Sequence, residues 1–184
     1  MSWLENDYPA PRYHGDEGEI SAVFRPSDTP SDLTTPTGGR TDYLATKSST
    51  NGDFGLYHVH MTAEAQGTSP HFHKAMSESF YILNGSLRVF DGERWFDANQ
   101  GDFLYVPPGG LHSFGNESGE PVDFLMLFAP GAAREGYFEG IAHLASMTDE
   151  ERAAFFVHHD SYFVDMAKGP AAAKWETRKS FKTR

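Results

Sequence analysis

Cysteine is absent from the 184 residues, which excludes a disulfide framework, a thiolate nucleophile and any thiolate metal site. A metal bound by this chain must therefore sit on imidazole and carboxylate. Positive charge is scarce, with 15 Lys and Arg against 26 Asp and Glu and a formal net charge of −11. That balance repels a phosphate backbone, so nucleic acid is not an expected partner. Long apolar runs are also lacking: the densest, "FLMLFA" from Phe124 to Ala129, is far too short to span a bilayer. The N-terminal "MSWLENDYPAPRYHGDEGE" has neither a basic n-region nor an apolar h-region. These features predict a cytoplasmic protein without membrane contact. No G-x-S-x-G elbow, G-x-x-x-x-G-K-[ST] loop or helix-opening G-x-G-x-x-G occurs, which removes the usual geometry of serine hydrolases and nucleotide binders.

The length suits one domain with extensions. Residues 1–40 are rich in Pro, Gly, Ser and Thr and read as an extended arm. From Thr41 to residue 130, short alternating runs are separated by turn signals: "TDYLAT", "FGLYHVHMTA", "SESFYIL", "SLRVF", "ERWFD", "GDFLYVP" and "VDFLMLFAP". This pattern predicts an antiparallel sandwich or barrel. Residues 131–167 change to helical spacing. "REGYFEGIAHLASM" is expected as one helix, and Thr148 followed by Glu151 forms a capping box that opens a second. The tail from Lys168 to Arg184 carries a net charge of +5, leaving −16 for the remainder. It reads as an exposed extension, docked if at all through Trp175.

The chemistry concentrates in "SPHFHKAMSESFYILNG". Strand residues two apart share a face, so His71 and His73 aim both rings at one point; alone, such a pair also fits an ordinary exposed strand. Glu78 has the wrong parity for an unbroken strand from His73, so "KAMS" must contain a turn or bulge that resets the alternation. Glu78 then shares a face with Phe80 and Ile82, where a carboxylate is costly to bury unless it is paired or binds a metal. Further on, "GDFLYVPPGGLHSFGN" runs a short strand into a Pro/Gly turn and delivers His112, with Phe114 on the same face. Tyr57, Val59 and Met61 form the apolar face of the preceding strand, which turns His58 and His60 the other way as a weaker second candidate pair. His158 and His159 fall at the end of the last helix, against its C-terminus or solvent.

The pattern His71-x-His73-x4-Glu78-x6-Gly85 resembles the first motif of the cupin superfamily. Gly101-x5-Pro107-x-Gly109-x2-His112-x3-Asn116 resembles the second, and fifteen residues separate the two. One position departs: Gly67 lies four residues before His71 where the family pattern has a glycine six before it. The resemblance implies a mainly β fold, a single cupin (double-stranded β-helix, jelly-roll) barrel with an extended N-terminal arm and C-terminal helices. It also implies one divalent transition metal, Fe, Ni, Co, Mn, Cu or Zn, held by His71, His73, Glu78 and His112. Ligand type does not select among these metals. The segments flanking the barrel resemble those of single-domain, quercetin 2,3-dioxygenase-like cupins. That likeness implies a dioxygenase acting on a phenolic or flavonol-like small molecule, with Glu78 as both ligand and general base. A non-redox cyclase or isomerase, or a binder without turnover, fits the same residues. Phe80, Ile82 and Phe114 are either substrate-pocket wall or plain barrel core. A homodimer is the expected assembly, with the arm available for exchange.

Overall fold

A computed structural model describes residues 8–164 except 64 and 66; the basic tail and Trp175 lie outside the described residues. Period-two alternation is visible in the longest strands. In β10 (Val122–Ala129) Val122, Phe124, Met126 and Phe128 are buried while the residues between them are only partly so. In β5 (Ser77–Asn84) Glu78, Phe80 and Ile82 take the inner face. In β3 (Gly55–Met61) Tyr57 and Met61 do, with Val59 packed against the same core.

Those faces meet because of strand order. β1 (Leu33–Thr34), β2 (Arg40–Ala45), β3, β10, β5 and β8 (Phe103–Val106) form a six-stranded sheet in the order β1-β2-β3-β10-β5-β8. A second sheet joins β7 (Trp95–Asn99), β6 (Ser86–Phe90) and β9 (Ser113–Gly115) in the order β7-β6-β9. All the pairings are antiparallel. Leu87, Val89 and Ala98 of the smaller sheet complete one core with Phe80, Ile82, Phe124 and Met126 of the larger. The mainly β architecture is thus the one the turn-punctuated runs predict. Asn84-Gly85 makes the turn from β5 to β6, and Gly85 sits at φ 79°. A side chain there would be strained, and its Cβ would meet the Pro121 carbonyl oxygen at 2.6 Å.

The C-terminal region departs from expectation twice. The single helix expected over "REGYFEGIAHLASM" is instead α1 (Glu135–Gly140) followed by a 3-10 turn, Ile141–Ser146. Two glycines weaken helix propagation there, and Gly140 lies so close to the Phe155 ring that a Cβ would approach it to 2.4 Å. Ile141 is consequently exposed rather than buried. Second, the chain after α2 (Asp149–His158) becomes β11 (Tyr162–Phe163) and pairs with β4 (His71–Phe72). The capping box is present: the Thr148 hydroxyl accepts from Glu151 N at 3.2 Å, and Thr148 N donates to Glu151 Oε2 at 2.8 Å. Among the described residues, no helix is long and apolar enough to cross a membrane.

Candidate metal centre

The barrel interior collects four polar side chains that the alternation would otherwise exclude. His71, His73, Glu78 and His112 are 3%, 2%, 2% and 1% exposed. One ligand atom from each lies within 4.8 Å of all the others, a group that could hold a metal ion.

Local backbone places each one. β4 carries His71 and ends at Phe72, and the turn through "HKAM" resets parity so that β5 presents Glu78 inward. Glu78 lies opposite Phe128 on one neighbouring strand and Val106 on the other. The turn after β8 brings in His112. His71 N donates to His112 O and His112 N to His71 O, both at 2.9 Å, so two of the four converging side chains face each other across one hydrogen-bonded pair. Gly109, at φ 82°, donates its N–H to His73 O at 2.6 Å, tying the second loop to the first.

Hydrogen bonding fixes the rings. Each imidazole donates Nδ1–H to a backbone carbonyl: His71 to Ser69 O at 2.9 Å, His112 to Gly110 O at 3.0 Å and His73 to Asp160 O at 2.5 Å. The Nε2 atom is thereby the one turned to the centre. Glu78 Oε2 lies 3.0 Å from His73 Nε2 and 2.8 Å from His112 Nε2. Burial alone would raise the Glu78 carboxyl, but the hydrogen bonds from His112 and His73 outweigh it and hold Glu78 well below the usual carboxylate range. Burial likewise disfavours a charged His112, yet the Glu78 contact prevails and raises it. His71 has no carboxylate contact of this kind; burial first, then the neighbouring His112, pushes it down to about 3.

Phe80 is fully buried and packs on Phe114 at 5.2 Å and on Phe124 at 6.1 Å between ring centroids, with His112 6.3 Å away. Ile82 and Phe114 join the same cluster, Phe114 only partly buried. His58 and His60 face outward with Asp42 and Asp123. His58 Nδ1 lies 3.1 Å from Asp42, its Nε2 3.1 Å from Asp123, and His60 Nδ1 2.9 Å from Asp123. They do not join the converging group. His158 ends α2 exposed, while His159 caps it and presents its carbonyl to Arg134. Sequence reasoning missed the residues that support the centre from the C-terminal side: Asp160 at His73, Phe163 on His71, and Arg134 and Ser161 bonded to each other beside them. A two-residue strand has no period to detect, and its partner lies far back in the chain.

Residues 57–128 match the family model described as "Cupin domain". Among curated proteins, the chain is 36% identical over 44 residues to a quercetin 2,3-dioxygenase of Bacillus subtilis, covering 24% of this chain and 13% of that protein. It is 33% identical over 66 residues to an uncharacterized protein of Methanocaldococcus jannaschii, covering 35% of this chain and 52% of the other. The chain thus spans about half of one of these relatives and a small part of the other. Among solved structures, KdgF from Halomonas sp. superposes with a TM-score of 0.52 at 17% identity, covering 62% of this chain and 97% of that one. At that identity the likeness concerns the fold.

Proposed function

From a cupin domain at residues 57–128, we propose that the protein is a metal-dependent oxidoreductase, a dioxygenase acting on a phenolic, flavonol-like small molecule. The observation that carries this reading is the buried convergence of three imidazoles and one carboxylate with their Nε2 and Oε2 atoms turned inward. The identity shared with the Bacillus subtilis quercetin 2,3-dioxygenase supports the choice of chemistry.

His71, His73 and His112 through Nε2, with the Glu78 carboxylate, would hold one divalent transition metal. When bound, that ion supplies Lewis acidity and, if redox-active, electrons for oxygen chemistry. The protein's own contribution begins with Glu78. Paired with two imidazole N–H groups, it is a weak base. Imidazoles that serve as ligands through Nε2 would no longer carry the N–H groups that Glu78 accepts, which would leave a Glu78 oxygen not held by the ion free to accept a substrate hydroxyl proton. Phe80 beside His112, with Phe114 packed on it, favours a flat apolar body next to the polar centre. Arg134, buried at 3% exposure, places a positive charge that acts on Glu78 and favours a substrate arriving as an anion. A homodimer belongs to the same proposal. It is supported by Tyr81, Phe103 and Tyr105, exposed together on the outer side of β5 and β8, and by Ile20, Val23 and Phe24, exposed on the arm.

The test is oxygen uptake by chelated protein reconstituted separately with Fe, Ni, Co, Mn, Cu and Zn, against a panel of flavonols and catechols. Uptake should need both a redox-active metal and Glu78, with Glu78→Gln lowering turnover roughly 10²- to 10⁴-fold. Substrate conversion without oxygen consumption, zinc included, would assign Lewis-acid cyclase or isomerase chemistry instead. Ligand-induced thermal stabilisation with no conversion under any metal would assign a binding protein.

A further inference from the structure

Two of the three imidazoles are oriented by carbonyls two residues back in their own chain segment, Ser69 for His71 and Gly110 for His112. His73 is not. Its Nδ1–H goes to Asp160 O, 87 residues away. The same aspartate closes the turn that follows His73: its Oδ1 accepts from Lys74 N at 3.0 Å and its Oδ2 from Ala75 N at 2.8 Å. Asp160 adopts φ 52°, a left-handed conformation that Asp tolerates better than most side chains.

This turn is itself anchored. Arg134 Nη1 donates to His159 O at 2.6 Å and to Ser161 Oγ at 3.3 Å, and its guanidinium lies 3.9 Å from the centre of the Tyr137 ring. Ser161 is buried, and its N–H donates to Phe156 O at 2.8 Å. Beyond it, β11 pairs Phe163 with His71 and Tyr162 with Phe72, and Val164 N donates to Pro70 O at 3.0 Å. The Phe163 ring stacks on the His71 imidazole at 5.1 Å and 27°. The contacts of Asp160 and of residues 162–164 fall on residues 70–75, the segment that carries two of the four converging side chains.

We propose that residues 159–164, anchored by Arg134, are a clasp that orients His73 and thereby sets the metal affinity of the centre, with Asp160 as the positioning residue. The physical reason is tautomer selection. A neutral imidazole carries one N–H; holding it at Nδ1 on the Asp160 carbonyl leaves the Nε2 lone pair for the centre, and groups that orient a ligating histidine in this way are typically worth 10- to 100-fold in affinity. The two locally oriented histidines keep their tautomers without the clasp, so its loss degrades one ligand rather than the whole site. The proposal rests on the metal reading above, and its test therefore includes a readout that needs no metal.

The experiment compares full-length parent, Asp160→Ala, Asp160→Asn and Thr148→Ala. Co(II) affinity is measured by chelator competition together with the visible spectrum, and the His73 Nδ1–H bond to the Asp160 carbonyl is read by ¹H–¹⁵N NMR on chelated protein. Asp160→Ala keeps the backbone carbonyl but releases the turn that places it, and should bind Co(II) about 10- to 100-fold more weakly, with an altered spectrum and a weakened His73 Nδ1–H bond. Asp160→Asn, which tolerates the same backbone conformation and keeps one acceptor oxygen, should return to within about threefold of the parent. Thr148→Ala removes the α2 cap without touching His73 and should keep the parent affinity. If Asp160→Ala keeps both parent affinity and the parent His73 Nδ1–H signal, or Thr148→Ala weakens Co(II) equally, the clasp has no positioning role. A parent that binds no Co(II) would sink the metal reading alone, and the His73 Nδ1–H signal would still decide whether the clasp orients His73.

Discussion

Tyr57 offers a two-step measure of how the C-terminal helices are fixed to the barrel. It is fully buried on the inner face of β3, opposite Met126 and Tyr43 on the two flanking strands. Its ring meets Phe138 at 5.0 Å, Tyr43 at 5.6 Å and Phe128 at 5.9 Å, while its hydroxyl donates to Glu135 Oε1 at 2.8 Å in the first turn of α1. Burial and the Glu135 contact raise the phenol above its ordinary range, so it stays a neutral donor. Tyr57→Phe keeps the ring cluster and deletes one hydrogen bond to a charged acceptor, which should cost about 1.5–3 kcal/mol. Tyr57→Ala also opens a cavity, and aromatic-to-alanine changes in cores cost about 3–5 kcal/mol, so its total should clearly exceed that of Phe. For a chain of this size each kcal/mol lowers Tm by about 2–4 °C. Urea unfolding of chelated protein, followed by far-UV circular dichroism, measures both steps; the midpoint should move while the slope does not. A Tyr57→Phe midpoint equal to the parent's would show that the hydroxyl does not pin α1. Equal losses for Phe and Ala would refute the packing argument. Because Arg134 immediately precedes α1 and anchors the turn around Asp160, the same tether reaches the centre indirectly.

Metal affinity should fall with acid. His112 Nε2 donates to Glu78 and is held above its ordinary value of 6.5, so an incoming ion must displace a proton; His71, pushed down to about 3, presents no such competition. Co(II) competition titrations should therefore weaken as pH drops, starting already above 6.5, and an affinity flat from pH 8 to pH 6 would contradict the His112–Glu78 pairing. For the proposed assembly, light scattering should read twice the chain mass. Phe103→Glu, placing charge on the exposed aromatic patch of β8 beside Tyr81, should shift the mass toward monomer; a parent that is monomeric throughout the micromolar range would remove the dimer.

Legibility in the sequence followed distance along the chain. β10 declares itself because Val122, Phe124, Met126 and Phe128 repeat every second residue, and the parity break between His73 and Glu78 announces its turn. The two glycines inside the expected helix over Arg134 to Met147, Gly136 and Gly140, carried the opposite message, and the chain obeyed them by breaking into α1 and a 3-10 turn. Within the centre the same rule separates the histidines. His71 and His112 are each completed by a carbonyl two residues away. His73 is completed by Asp160, which sits in an Asp-Ser turn before a strand too short to show a period. Motif spacing reveals ligand atoms because neighbouring backbone positions them. It is silent about a ligand whose orientation comes from a distant part of the chain, and that ligand is where substitutions outside the motifs should act most strongly on metal affinity.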